Sequence, residues 1–122
     1  MTSSIKWNPN TNIGGTFFRA KLTLPTIPFG VQCHRLEVLS GQDPREWEDD
    51  EKITVMFIGT FKGEPFTLYD YRGDRTFHIG GHDTLDVVGL TEKLRGLLVT
   101  YKMVQSVMPK MTGPITSITV GV

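Results

Sequence analysis

The residues best suited to chemistry lie in segment 75–84, where a predicted short strand, two glycines and a predicted helix follow one another. Free N–H groups at a helix N-terminus bind anions, and glycines let a ligand approach the backbone closely. Aromatic side chains here and in the preceding strand could stack on a flat group such as a nucleobase, while arginine and histidine add hydrogen bonds and positive charge. We therefore predict a site for a small anionic ligand such as a nucleotide. The candidate ligand-binding residues are Tyr69, Tyr71, Arg75, Phe77, His78, Gly80, Gly81 and His82.

Two other interpretations of this segment stay open. Two glycines before a helix are most often only a connection, and the sequence has neither the glycine pattern of dinucleotide-binding folds nor a P-loop. His78 and His82 are four residues apart, a spacing that places metal ligands on one face of a helix. Because Gly80 and Gly81 separate the two histidines, we expect no metal site and no cofactor.

Catalysis has weaker support in the sequence. Cys33 is followed by His34, but successive side chains of a strand point to opposite faces, so the two could not form a thiol–imidazole pair there. A small hydrolase that uses Asp70, His78 and His82 is the enzymatic alternative. We favour a protein that is not an enzyme.

The most acidic part of the chain, within residues 40–51, surrounds Trp47. The ordinary interpretation is a solvated loop whose tryptophan packs into the core. Tryptophan is also favoured at binding hot spots, so Trp47 is a candidate partner-binding residue. A protein-interaction module that uses this loop or an open sheet edge is therefore the alternative function.

Composition excludes several classes of protein. The chain has 122 residues and a formal net charge of zero, which argues against binding of polymeric nucleic acid. A single cysteine forbids an internal disulfide and fits a reducing compartment. No signal peptide is evident and no apolar run is long enough to span a membrane. We expect one cytoplasmic domain over residues 1–122, with residues 1–15 as an N-terminal arm.

A predicted hairpin forms the centre of the chain. Residues 53–61 and 66–71 alternate with the period of a strand. Pro65 lacks an N–H group, which favours a four-residue loop over a two-residue one. The predicted register places Phe61 opposite Phe66.

Asp70 is the unusual residue of this hairpin, because the predicted register places it opposite Phe57. Unpaired carboxylates are seldom buried. We therefore expect Asp70 at an exposed edge or in an ion pair with Arg72 or Arg75, and a ligand-binding acid is the alternative.

One long helix is predicted from Thr84 to Val107, with Asp83 or Thr84 as its N-cap. Gly89 would weaken this helix, which suggests a close approach at that position. The apolar positions of the helix, spaced alternately three and four residues apart, are Val87, Leu90, Leu94, Leu97, Tyr101, Val104 and Met108.

Further strands are predicted over residues 16–24, 31–39, 75–79 and 115–122, and a short one around 5–7. The simplest fold is α+β, with an antiparallel sheet of about five or six strands and one long C-terminal helix packed on one face. Because the second sheet face also carries apolar side chains, we expect a homo-oligomer.

The central block of the chain resembles small uncharacterised proteins of phage and virus type. The likeness rests on three motifs at residues 51–57, 63–71 and 77–81, which read EKITVMF, GEPFTLYDY and FHIGG. The resemblance implies no established activity and no functional residues. It implies a viral accessory protein that acts by binding, either by sequestering a signalling nucleotide or by inhibiting a host protein.

Overall fold

The computed structural model describes residues 4–47 and 52–111, and it describes side chains for residues 4–45 and 52–100. The elements in chain order are β1 (Ile5–Trp7), β2 (Phe17–Leu22), α1 (Phe29–Ser40), a 3₁₀ helix (Pro44–Trp47), β3 (Met56–Phe61), β4 (Glu64–Tyr69), β5 (Phe77–Gly81) and α2 (Val87–Met111). Within the described ranges the strands form one five-stranded sheet in the order β1-β3-β4-β5-β2, and every neighbouring pair is antiparallel. The predicted α+β class and antiparallel sheet agree with this architecture.

The predicted strand over residues 31–39 is wrong, because this segment lies in α1. The buried residues of α1 are Gln32, Arg35 and Leu36, and their spacing of three and four residues is that of one helix face. Since two of the three are polar, the helical period is hidden in the sequence. The structure therefore has two α-helices in its described part, where a single long one was predicted.

Pro28 and Gly41 set the ends of α1. Pro28 is the N-cap residue and provides no side-chain cap. Gly41 adopts the left-handed conformation, with φ of 70°, and its N–H donates to the Glu37 carbonyl at 2.9 Å. A glycine at this position is the common way for a helix to end.

The hairpin of β3 and β4 turns through two residues, so the predicted four-residue loop is wrong. Lys62 and Gly63 both have positive φ, 54° and 80°, as a type I′ turn requires. Phe61 pairs with Glu64, and Pro65 pairs with Thr60. In such a hairpin the pair next to the turn is hydrogen-bonded and the following pair is not, so β3 does not require an N–H from Pro65.

The register of the hairpin consequently differs by two residues from the predicted one. Gly59, not Phe61, lies opposite Phe66, and Leu68 rather than Asp70 lies opposite Phe57. A shift of two residues leaves every side chain on its predicted face, since strand side chains alternate with a period of two.

The two helices cover one face of the sheet. α2 contributes Leu90, Leu94 and Leu98, and α1 contributes Leu36, all of them fully buried. Leu97, predicted to lie on the apolar face of α2, is only partly buried. The strand residues of this core are Leu22, Phe57, Phe61, Phe66, Leu68, Phe77 and Ile79.

α2 begins later than predicted, and its first turn is capped by Asp86. The Asp86 carboxylate accepts a hydrogen bond from the Gly89 N–H at 3.0 Å and pairs with Lys62 at 2.7 Å. A Cβ on residue 89 would lie against this carboxylate, so a larger residue there would require the Asp86 side chain to shift. The predicted caps Asp83 and Thr84 are therefore wrong.

The predicted strand over residues 115–122, much of the acidic loop and the Trp47 side chain lie outside the described residues. Among the helices that are described, none is both long and apolar enough to cross a membrane.

Candidate functional site

Gly80 and Gly81 lie inside β5, not at a step between a strand and a helix. They point to opposite faces of the sheet because they are consecutive strand residues. A Cβ on Gly81 would lie 2.5 Å from Leu85 Cδ2 in the core, and one on Gly80 would lie 2.5 Å from Thr67 Oγ1 on the other face. Each glycine thus allows a close approach, and the carboxylate of Asp86 already occupies the α2 N-terminus.

The side chains of three predicted site residues contact parts of the chain other than Thr67 and Tyr69. Phe77 is a core residue whose ring packs 4.8 Å from Phe29 and 6.1 Å from Phe57 between centroids. The Nε2 atom of His82 makes a hydrogen bond with the Gly14 carbonyl at 3.0 Å. Arg75 has a positive φ of 57°, and its guanidinium lies 5.6 Å from the centroid of Phe29.

His78 lies among aromatic rings on the sheet face opposite the helices. Its ring stacks on Tyr69 at 5.4 Å and meets Phe18 edge-on at 5.4 Å. Its Nε2 atom lies 2.6 Å from Asp74 Oδ2. The contact with Asp74 and the stacking on Tyr69 together hold the imidazole ring of His78 in place.

Asp74 organises the loop between β4 and β5. Its carboxylate accepts hydrogen bonds from the N–H groups of Tyr71 and Thr76, both at 3.2 Å, besides its contact with His78. Burial acts to raise the pKa of Asp74, but the hydrogen bonds from His78 and the backbone outweigh it, so the pKa lies below its ordinary value.

Asp70 is a structural residue, and the expectation of an exposed or arginine-paired carboxylate is wrong. Its side chain is only 2% exposed. It accepts hydrogen bonds from the N–H groups of Thr54 at 2.8 Å and Val55 at 3.0 Å, and from the Thr54 hydroxyl. Asp70 thereby fixes the segment that leads into β3.

Asp70, His78 and His82 do not form a catalytic group in the described part of the chain, because their hydrogen bonds go to three separate sets of partners. Burial raises the pKa of Cys33 to about 11, and the negative charges of Asp70 and Glu37 add to this shift. A thiol with so high a pKa is a poor nucleophile at neutral pH.

A cavity of about 330 Å³ opens on the sheet face opposite the helices, and we call it the aromatic cavity. Three predicted site residues line it, namely Tyr69, Tyr71 and Gly80. Its remaining lining residues come from the strands and from the segments before β2 and β3, and they are Ile13, Thr16, Phe17, Lys52, Ile53, Met56 and Thr67.

Four residues that carry hydroxyl groups line this cavity and give it polar character, namely Thr16, Thr67, Tyr69 and Tyr71. Thr67 is only 4% exposed, and it lines the cavity. Burial and the neighbouring Tyr71 raise the pKa of Tyr69 above its ordinary value. Tyr69 therefore stays protonated at neutral pH and can donate a hydrogen bond.

A second depression, of about 460 Å³, adjoins the aromatic cavity and shares Lys52 with it. We call it the basic groove, and its lining residues are Lys52, Thr54, Arg72 and Gly73. The Arg72 N–H donates to the Lys52 carbonyl at 2.6 Å, and its guanidinium lies 5.3 Å from the centroid of Tyr71. Two cationic side chains thus lie next to an aromatic cavity.

Sequence reasoning named Arg72 as a source of positive charge for the candidate site, but it missed Lys52 and Thr67. Alternation in β4 places Thr67 on the same face as Tyr69, which is a signal present in the sequence. The position of Lys52 depends on a backbone hydrogen bond with Arg72, which no local pattern predicts.

Other candidate sites are weaker. The described residues contain no cluster of three or more histidine, cysteine, aspartate or glutamate side chains that could hold a metal ion. β2 lies at an edge of the sheet, and it exposes Phe17 by 52% and Phe18 by 51%.

Comparison with known proteins adds no family to this description. No protein-family model, no curated protein and no solved structure matches the chain.

Proposed function

We propose that this protein binds, without converting it, a small anion that carries a flat aromatic group, such as a nucleotide. The observation that carries the proposal is the position of Lys52, which belongs both to the aromatic cavity and to the basic groove. A ligand with an aromatic part and an anionic part can therefore occupy both at once.

The aromatic part fits the larger apolar portion of the site. Tyr69 and Tyr71 offer ring surfaces, and Met56 and Ile53 complete an apolar wall. Stacking of a base on an aromatic side chain contributes about 1–3 kcal/mol. The volume of about 330 Å³ falls at the lower end of the range of roughly 300–1,000 Å³ that is common for ligand pockets.

Specific hydrogen bonds are available at the base of the cavity. Thr67 lines the cavity, and its hydroxyl can donate a hydrogen bond to a ligand polar atom or accept one from it. Gly80 keeps this hydroxyl accessible, since any side chain at residue 80 would collide with it.

The anionic part fits the basic groove. Arg72 presents a guanidinium, which binds phosphate or carboxylate oxygens in pairs, and Lys52 adds a second positive charge. These groups orient and neutralise an anion, and the protonated Tyr69 hydroxyl can donate a hydrogen bond to it. Sequestration of such a ligand is what the resemblance to viral accessory proteins implies.

Isothermal titration with a panel of purine and pyrimidine nucleotides, each paired with its nucleoside, tests the proposal. We expect at least one nucleotide to bind more tightly than its nucleoside. Arg72→Asn should weaken nucleotide binding by about tenfold and leave nucleoside binding unchanged. Thr67→Val should weaken both by roughly two- to tenfold, because it removes one hydrogen bond with little change of shape.

Lys62→Asn is the matched control for Arg72→Asn. Lys62 is also a cation with positive φ, 54° against 53° for Arg72, and it lies outside both the cavity and the groove. The proposal is wrong if no nucleotide binds, or if Lys62→Asn weakens binding as much as Arg72→Asn does.

Protein–protein interaction is the second candidate function, and the half-exposed Phe17 and Phe18 on the edge strand β2 favour it. The simplest partner is a second copy of the chain, as a homo-oligomer requires. Light scattering with size-exclusion chromatography would show a multimer that Phe17→Lys dissociates. A monomeric wild type at micromolar concentration would exclude this partner.

A further inference from the structure

We propose a second binding site at the N-terminus of α1, which takes a small carboxylic acid with an apolar chain and a hydroxyl or ammonium donor beside its carboxylate. This site lies in a separate cavity of about 410 Å³ between the segment after β2, the start of α1 and the start of β5. It shares no lining residue with the aromatic cavity or the basic groove.

Gln32 supplies the first argument, because its side chain lines this cavity and is only 5% exposed. Its Nε2 atom donates to the Ile27 carbonyl at 2.7 Å, which fixes the orientation of the amide. Its Oε1 atom is buried without any hydrogen-bond partner in the described part of the structure. An orphan buried acceptor of this kind is costly, and a ligand donor would satisfy it.

The backbone at the start of α1 supplies the second argument. The N–H groups of Val31 and Gln32 both donate to the Pro28 carbonyl at 3.0 Å, and no side chain caps the helix. The Phe29 N–H has no partner among the described residues, and Phe29 lines the cavity. A free N–H at the positive end of a helix attracts an anion.

Arg75 supplies the third argument. Arg75 lines the cavity, and its guanidinium lies 5.6 Å from the centroid of Phe29. Its backbone has a φ of 57°, a conformation that is unfavourable for arginine and that the fold must hold in place. The strained loop before β5 thus holds the N–H donors of the Arg75 guanidinium beside a free helix N-terminus. Their planar arrangement matches the two oxygens of a carboxylate.

The walls of the cavity determine the rest of the ligand. Leu22, Leu24 and Ile27 are buried apolar residues that line it, so a hydrocarbon chain of the ligand would be removed from water. The carboxylate then meets Arg75 and the helix N-terminus. The donor on the neighbouring carbon meets Gln32 Oε1.

Nuclear magnetic resonance of the full chain, labelled with ¹⁵N, tests this site with defined probes. The probes are L-leucine and the two enantiomers of 2-hydroxy-4-methylpentanoate, and 4-methylpentanoate is the matched acid without the donor. We expect at least one donor-bearing probe to shift the amide signals of Phe29 and Arg75 and the side-chain NH₂ signal of Gln32. We expect 4-methylpentanoate to bind roughly tenfold more weakly, because Oε1 then stays unpaired.

Arg75→Asn removes the guanidinium while keeping a residue that tolerates positive φ, and it should weaken the best probe about tenfold or more. Lys62→Asn is again the matched control, with a cation at φ of 54° outside this cavity, and it should leave the affinity unchanged. The absence of shifts at millimolar probe, equal binding of 4-methylpentanoate, or unchanged binding by Arg75→Asn would each overturn the proposal. Because nucleotide binding is tested through Arg72 and this site through Arg75, either proposal can fail alone.

Discussion

Gly80 and Thr67 lie opposite each other on neighbouring strands, so close that a Cβ on residue 80 would sit 2.5 Å from the Thr67 Oγ1 atom. Both residues line the aromatic cavity. The same glycine makes room for the ring of Tyr69, whose Cε1 would lie 3.3 Å from that Cβ. The size of the cavity therefore depends on the absence of one methyl group.

Gly80→Ala should destabilise the fold by about 1–3 kcal/mol, because β4 and β5 cannot move apart without breaking their hydrogen bonds. Urea denaturation followed by circular dichroism measures the change in the free energy of unfolding. Adding Thr67→Ala removes the colliding oxygen, so the double variant should recover part of the loss.

Gly96→Ala is the control for this pair of variants. A Cβ at residue 96 would meet nothing within 4 Å, and alanine is favoured over glycine in a helix by about 1 kcal/mol. We expect Gly96→Ala to stabilise the protein. Equal effects at residues 80 and 96 would contradict the proposed collision.

The sequence predicted on which face of the sheet each hairpin side chain lies, but it did not predict which residues contact one another. Alternation in β3 and β4 placed every hairpin side chain on its observed face, although the turn was misjudged. Pro65 suggested a long loop because it lacks an N–H group. That lack matters only at hydrogen-bonded positions, and the register, which decides whether Pro65 is at one, depends on Lys62 adopting a positive φ. A lysine in that conformation is not predictable from its type.

α1 was missed because two of its buried residues are polar. Gln32 and Arg35 are tolerated in the interior since they donate to the carbonyls of Ile27 at 2.7 Å and Leu98 at 3.1 Å. Both acceptors are set by tertiary packing, so the composition of the segment alone favoured a strand. The same reason applies to the candidate site, where Lys52 and Arg72 meet through the backbone.

Asp70→Asn should destabilise the protein by about 1–3 kcal/mol. The carboxylate accepts three hydrogen bonds from Thr54 and Val55, and an amide, with its single oxygen, cannot accept all of them. The measurement is the urea midpoint at neutral pH. Asp83→Asn, at an exposed position, should change stability by less than about 0.5 kcal/mol, and a comparable loss there would contradict the role of Asp70.

Asp74 should make stability depend on pH in the acidic range. Because its pKa in the folded protein lies below the ordinary value of 3.8, folding favours the ionised form. The resulting stabilisation is complete above the unfolded-state pKa, near 3.8, and is lost as the pH falls through the lower folded-state value. Urea midpoints between about pH 2.5 and 6 should therefore drop less steeply for Asp74→Asn than for the wild type.

The same series with Asp83→Asn separates Asp74 from the general effect of removing a carboxylate. Asp83 is exposed, and the acid-induced drop should match that of the wild type. Parallel curves for the wild type and Asp74→Asn would show that the contact with His78 does not stabilise the ionised form.

Cys33 should react slowly with iodoacetamide in the native protein. Burial raises its pKa from 9.0 to about 11, so the thiolate fraction at pH 8 is about 100-fold lower than for the unshifted thiol. Because the thiolate is the reactive form, the rate of alkylation, measured by mass spectrometry, should rise about tenfold per pH unit up to pH 11.

Unfolding in urea removes both the burial and the charges of Asp70 and Glu37, and it should restore fast alkylation at pH 8. Equal rates in native and unfolded protein would mean that Cys33 is neither buried nor shifted, and that α1 does not pack as described.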